Sequence, residues 1–365
     1  MPLRCGIVGL PNVGKTTLFN ALLQTIQGEA ANYPFCTIEP NVGIISVPDE
    51  RAEKLAKLAN SKELIKSQME FVDIAGLVRG ANKGEGLGNQ FLANIREMDC
   101  IANVVRCFDD DNIVHVEKTV DPVRDIELIQ TELILADLES IGRRIKNIEK
   151  KAKADKSLAG QLDLMIRTQE VLDRGEPAAN VPLAEGEERD FKALQMLTGK
   201  KQFFVCNVDE HSLSAGNRSV EAAEKYLGER NCATTRISAK IESEIAALGS
   251  AEEKREFLET LGLGESGLDK IIRLAYSALD LITFFTVGPK ETRCWTIKNG
   301  CLAPQAAGVI HTDFEKGFIR AETISYEDYV KYGTEDAVRN AGKLRLEGKD
   351  YVAQDGDIFH FRFNV

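Results

Sequence analysis

No two of the eight cysteines in this 365-residue chain are spaced Cys-x-x-Cys. With only four histidines there is also no ligand set for a zinc knuckle. Cys5, Cys36, Cys100, Cys107, Cys206, Cys232, Cys294 and Cys301 are scattered, and they read as small buried residues of a reducing compartment rather than a disulfide frame. No apolar run approaches the ~20 residues of a membrane span. The opening Met-Pro-Leu-Arg-Cys-Gly has no h-region and no small-residue cleavage site, so the chain reads as cytoplasmic with no membrane partner. Basic charge is scarce too: 46 Lys+Arg against 57 Asp+Glu leave a net charge of −11. That excludes a protein that coats nucleic acid through its overall field, and no DNA partner is expected. G-x-G-x-x-G is absent, which argues against a dinucleotide fold.

What is present is a chain that is 43% hydrophobic and 28% charged, long enough for two or three domains with real cores. Short apolar runs at Leu3–Gly9, Met69–Asp73 and Ile101–Phe108 alternate with helical stretches at Lys15–Gln24 and Gln90–Asp99, the pattern of a parallel α/β sheet. The next such strand, Gln202–Asn207, comes about 95 residues later, where a βαβ repeat needs roughly 30. The intervening insertion is helical. Ile134, Leu138, Ile141, Ile145 and Ile148 form a coiled-coil seam, and Leu158, Leu162 and Met165 resume it, which predicts an antiparallel hairpin. Ala233–Ser238 and a helix over Leu268–Ile282 close the domain. A smaller α+β unit follows, with strands at Thr283–Val287, Arg293–Ile297 and Gly317–Ala321, one helix over Ala306–Phe314, and alternation of Phe359, Phe361 and Phe363 in a terminal strand.

Gly9-Leu-Pro-Asn-Val-Gly-Lys-Thr16 fits G-x-x-x-x-G-K-[ST] between a strand and a helix. Its glycines let main-chain N–H groups of Asn12, Val13, Gly14, Lys15, Thr16 and Thr17 curl around phosphate oxygens, and the helix adds its positive end. Lys15 is expected to bridge the β- and γ-phosphates, and the Thr16 hydroxyl to ligate Mg²⁺. Asp73-Ile-Ala-Gly76 ends a core strand: Asp73 can hold Mg²⁺ through water, and the Gly76 N–H can meet the γ-phosphate. Thr37, in Phe35-Cys-Thr37, can swing in as a further Mg²⁺ ligand when triphosphate is bound. Glycines 80, 84, 86 and 88 suit a switch ordered by the γ-phosphate.

The glycine run ahead of Asn89-Gln-Phe-Leu92 resembles the Obg branch of P-loop GTPases. The chain as a whole, with its insertion and tail, is similar to the YchF-type Obg-like ATPases. The fold expected is therefore α/β: a P-loop NTPase (Ras-like G domain) at 1–125 and 199–282, an inserted helical coiled-coil hairpin at 126–198, and a β-grasp TGS domain at 283–365. The tail's likeness rests on Ala306-Ala-Gly-Val-Ile-His311 through Arg320, with His311 packed or capping, and it implies contact with RNA or the ribosome.

GTPases of this class read guanine with Asn-Lys-x-Asp. Here the strand ends in Asn207-Val-Asp-Glu210, with Val208 in place of Lys and Glu210 one methylene longer. A site built to pair guanine rejects other bases because its polar groups go unpaired. The residues alone say only that guanine readout is not standard, and the family resemblance implies ATP. Ser238-Ala239-Lys240 resembles the last base-contact loop, and Val208 contributes through its backbone. Leu77 stands where many switch GTPases carry a water-orienting Gln. Two residues are candidates for the missing help: Asn12, through a K⁺ ion held against the phosphates, and His115, as a group that reaches the γ-phosphate once the switches close. Cys36 beside Thr37 reads either as an inert thiol or as a redox handle on the switch.

Residues 143–156 carry Arg143, Arg144, Lys146, Lys150, Lys151, Lys153 and Lys156 against Glu149 and Asp155. A basic hairpin tip on an acidic chain is suited to phosphate backbone, and a ribosomal partner is expected there and at the tail. The tail is nearly neutral, so its share of that expectation comes from the resemblance. The activity expected is hydrolysis of ATP to ADP and phosphate by a nucleotide-controlled switch. The alternatives are a translation-associated GTPase and a nucleotide-sensing module with negligible turnover.

Overall fold

The structure, a computed structural model, describes residues 3–29, 41–74, 76, 87–152 and 155–364. It divides into two compact units: Met1–Ile45 with Glu70–Ile271, and Ser46–Met69 with Ile272–Val365. In chain order, β1 (Leu3–Val8) enters the phosphate loop and α1 (Lys15–Glu29), and β2 (Val42–Ser46) follows. The chain then gives α2 (Glu50–Ala59) and β3 (Glu63–Ile65) to the second unit. It returns with β4 (Gln68–Asp73), α3 (Leu87–Arg96) and β5 (Cys100–Arg106). A helical excursion of α4 (Pro122–Ala152), α5 (Ala159–Asp173) and α6 (Glu188–Ala193) comes next. The first unit is completed by β6 (Lys201–Asn207), α7 (Ser212–Ala215), α8 (Arg218–Gly228), β7 (Thr234–Ile237), α9 (Ala239–Ala247), α10 (Ala251–Thr260) and the start of α11 (Gly267–Ala278).

The first sheet has the order β2-β4-β1-β5-β6-β7, with β1, β5, β6 and β7 parallel. All seven residues of β5 are buried, which is why it reads as one apolar run: a central parallel strand has helices on both faces. On one face Val105 and Cys107 pack with Phe204, Cys206 and Val208 under Ile126 of α4 and Val220, Ala223 and Leu227 of α8. The β5–β6 register sets Arg106 opposite Asn207, so the loops that follow both strands emerge side by side at the carboxyl edge, where open α/β sheets bind ligands.

α4 is one continuous helix of 31 residues, about 46 Å long at 1.5 Å per residue. Ile134, Ile141 and Ile145 pack on Leu164, Met165 and Leu172, with Leu138, Ile148 and Leu162 at the margin, as the seam predicts. Buried Asp137 fixes the return of the excursion. Its Oδ1 accepts from Leu197 N (2.8 Å), and its Oδ2 from Thr198 N (2.8 Å) and Oγ1 (2.7 Å). Burial raises its pKa, and these donors partly offset the rise.

The second unit adds β8 (Leu281–Val287), β9 (Glu291–Lys298), α12 (Ala303–Ile310), α13 (Thr312–Lys316), β10 (Phe318–Ile324), α14 (Tyr326–Tyr332), α15 (Glu335–Asn340), β11 (Arg345–Glu347) and β12 (Ile358–Phe363). Its sheet runs β11-β10-β12-β8-β9-β3. Period-two alternation sends Phe284 and Phe359 to a core under α12, and Phe285 and Ile358 to a second core under α2 and α14.

Three expectations change. Residues 46–69, expected within the nucleotide-binding domain, pack in the second unit. There β3 pairs in parallel with β9, and Arg51 reaches Asp355 (Nη1 to Oδ2, 2.7 Å). The predicted helix over 268–282 stops at Ala278, because Asp280 turns left-handed (φ 53°) and strand begins at Leu281. The single helix over 306–314 is two, broken at extended His311 (φ −159°), whose Nδ1 caps the second by accepting from Asp313 N (3.2 Å). Among the described residues no helix is long and apolar enough to cross a membrane.

Candidate nucleotide-binding site

The phosphate loop folds as its glycines dictate. Gly14 has φ +99°, and a Cβ there would collide with Asn207 Nδ2, so neither the backbone nor the space admits a side chain. Lys15 is buried, and its Nζ donates to Leu10 O (2.6 Å) inside the loop. Burial holds its pKa down to about 8 while the Asp73 charge pulls it back up. Anionic oxygens beside it would favour its charged form further.

Gly76 approaches this amine so closely that a Cβ would stand 3.1 Å from Lys15 Nζ and 3.0 Å from Pro11 N. Thr16 Oγ1 donates to Asp73 Oδ2 (3.0 Å), and Asp73 Oδ1 is buried with no hydrogen-bond partner. A hydroxyl and an orphaned carboxylate oxygen beside a phosphate cradle form a hard donor set, which fits Mg²⁺. Thr37, Cys36, Leu77 and glycines 80, 84 and 86 lie outside the described residues.

Next to the cradle is a cavity of about 650 Å³. Asn12, Gly14 and Thr17 line it from the phosphate loop, Asn207, Val208 and Glu210 from the end of β6, and Ser238, Ala239 and Lys240 from the head of α9. The sequence-predicted base residues thus converge. Their roles divide, however. Buried Asn207 spends its amide on main chain: Nδ2 donates to Val13 O (2.9 Å) and Oδ1 accepts from Ala239 N (2.9 Å). It ties the phosphate loop to the base loop while also lining the cavity. Val208 is core, and its N–H donates to Ile237 O (2.8 Å), so a main-chain contact to a base falls to its carbonyl. Glu210 and Lys240 are exposed at the rim.

His115 is not among the residues that line the cavity. It is buried, its Nε2 lies 2.8 Å from Asp125 Oδ2, and its Nδ1 accepts from Glu117 N (3.1 Å). With both ring nitrogens engaged it cannot take a proton from water in this arrangement. Asn12 likewise has a protein partner, since its Nδ2 donates to Val114 O (3.0 Å), which leaves Oδ1 as the atom a K⁺ ion would need. Sequence reasoning missed the fourth wall of the cavity, Phe108, Asp109, Asp110 and Ile113 after β5. Their only signal was position, at the carboxyl end of a central strand.

The basic tip is partly committed as well. Arg144 Nη1 donates to Leu194 O (2.7 Å) and Arg143 lies 3.7 Å from Glu139, whereas Lys146, Lys150, Lys151 and Lys156 are exposed; Lys153 lies outside the described residues. In the second unit Glu322, Glu335 and His360 bring ligand-type atoms within 4.8 Å of one another, but the two carboxylates already hold Arg362 and Arg339.

Comparison with known proteins finds relatives along the whole chain. A family model described as "50S ribosome-binding GTPase" matches residues 4–137, and one described as "YchF-GTPase_C: Protein of unknown function (DUF933)" matches residues 281–364. The "Ribosome-binding ATPase YchF" of Bacillus subtilis is 52% identical over 368 residues, and that of Haemophilus influenzae 52% over 367, each covering 100% of both chains. The solved structure of the Schizosaccharomyces pombe YchF GTPase superposes with a TM-score of 0.88 at 38% identity, over 99% of this chain and 97% of that one. With a P-loop GTPase fold and relatives alike from end to end, this chain belongs to the YchF family.

Proposed function

We propose that the chain is a Mg²⁺-dependent ATPase that hydrolyses ATP to ADP and phosphate and uses the cycle to control its binding to the ribosome. The observation that carries the hydrolase reading is the cluster of Lys15 Nζ, Gly76 and the Thr16–Asp73 pair around one phosphate cradle. ATP is preferred to GTP because the guanine-reading pattern is broken: Val208 is buried in the core and Glu210 stands at the rim. The names of the bacterial relatives support the same reading.

Mg²⁺, when bound, would be held by Thr16 and Asp73, with Thr37 joining in the triphosphate state, and would supply positive charge to the phosphoryl oxygens. Lys15 and the loop N–H groups stabilise the charge that spreads over those oxygens as the bond loosens, with no covalent intermediate. Gly76 lets its main-chain N–H approach the γ-phosphate without obstruction. A K⁺ ion held by Asn12 Oδ1 would add the positive charge that an arginine finger otherwise gives. His115 enters only if γ-phosphate binding releases it from Asp125. Lys146, Lys150, Lys151 and Lys153 present the positive end of the hairpin to ribosomal phosphate, assisted by the second unit as a TGS domain, and the cycle runs in the cytoplasm.

A second reading is GTP hydrolysis, favoured by the description of the fission-yeast protein as a GTPase. Phosphate release under multiple turnover, with ATP and with GTP, in K⁺ and in Na⁺, with and without ribosomes, separates the readings. ATP is expected to be the better substrate, faster in K⁺. Preference for GTP overturns the ATP assignment, and a single turnover at most makes the protein a sensor. Replacing Lys150, Lys151 and Lys153 with Glu is expected to weaken co-sedimentation with ribosomes and leave nucleotide affinity unchanged.

A further inference from the structure

The loop after β5 is inside out. Its apolar residues Ile113, Val114 and Val116 are 37%, 74% and 43% exposed, while Arg106 beneath it is 2% exposed. Hydrophobic burial therefore does not shape this loop. Arg106 does: Nε donates to Phe108 O (3.1 Å), Nη2 to Asp110 O (3.2 Å) and Nη1 to Ile113 O (2.9 Å). All three partners are main-chain carbonyls. The guanidinium also lies 4.6 Å from the centre of the Phe108 ring, a cation–π contact. The three carbonyls it gathers belong to residues that line the cavity beside the phosphate cradle. A planar fork with five N–H donors reaches three carbonyls spread over six residues of chain, and an ammonium does not.

We propose that Arg106 is the positioning residue for the nucleobase. It fixes the wall from Phe108 to Ile113 against which the base lies, and it acts on base affinity rather than on chemistry at the phosphates. The inference rests on the nucleotide-hydrolase reading above. It gives loop shape a share of base binding beside that of Asn207, whose amide also ties Val13 to Ala239.

The test compares ligands with and without a base. MgADP and inorganic tripolyphosphate are titrated calorimetrically into the full chain, into Arg106→Lys and into Arg106→Met. The lysine variant keeps the charge and guards against loss of folding, which thermal melting monitors. MgADP affinity is expected to fall about tenfold or more in both variants, the scale of losing charge-assisted hydrogen bonds, while tripolyphosphate stays within about threefold. KM for ATP is expected to rise with kcat nearly unchanged. Unchanged ADP affinity in a folded variant overturns the inference, and so does equal weakening of both ligands, which is the mark of a merely structural arginine. If the unsubstituted chain binds ADP no better than tripolyphosphate, the nucleotide reading itself fails, and this inference with it.

Discussion

At the phosphate end of the site, the determinants are main chain and glycine: Gly14 at φ +99°, Gly76 against Lys15, and N–H groups that any residue would supply. At the base end they are buried side chains, Arg106 and Asn207, each spent on carbonyls and amides of neighbouring loops. The first end depends mainly on local backbone conformation encoded within eight consecutive residues, met by Asp73 and Gly76 from a second short motif. The second depends on which distant segments the sheet brings together, since Asn207 reaches Val13 across 194 positions. Two ends built so differently should fail differently when substituted.

The largest expected effect is at the phosphate end. Lys15→Ala removes the one buried cation of the cradle and should lower turnover by about 10²–10³-fold with melting temperature unchanged or raised, read by phosphate release at saturating ATP. Next, Asn207→Ala leaves Val13 O and Ala239 N without their partner and should cost about 2–4 kcal/mol of stability in denaturant unfolding, and weaken nucleotide binding alongside it. A loss of activity with full stability would place Asn207 on the ligand and collapse the distinction between the two ends. The smallest effect is expected at His115→Ala, about 1–3 kcal/mol of stability from breaking the buried pair with Asp125, and a higher KM through the loosened loop. A tenfold fall in kcat with unchanged melting would instead make His115 a group that leaves Asp125 to serve the phosphates.

The same contrast explains what could be read from the residues alone. Lys15, Thr16, Asp73 and Gly76 were legible because their chemistry requires fixed residue types at fixed spacing, and the structure brings them together. The hairpin seam was legible because its period survives folding. Arg106 was not: an arginine ending an apolar strand looks like a surface residue until its three carbonyl partners are seen. Asn207 was found for its position, but not its ties to Val13 and Ala239, which lie far off in sequence. The membership of 46–69 in the second unit was invisible for a related reason. β3 is only three residues long and draws its stability from pairing with β9, which no local pattern announces.

That short strand bears on how the protein is made. Glu63 pairs with Glu291, more than two hundred residues later, and Arg51 clasps Asp355 near the far end of the chain. During synthesis the first sheet can align β2, β4 and β1 early, while the stretch between β2 and β4 has nothing yet to pack against. Its partners in β9 and at Asp355 are translated only much later. Such long-range closure is slow, and it sets assembly apart from the rapid local steps around it. The stretch between β2 and β4 is thus among the first parts of the protein to be synthesised and among the last to meet its partners.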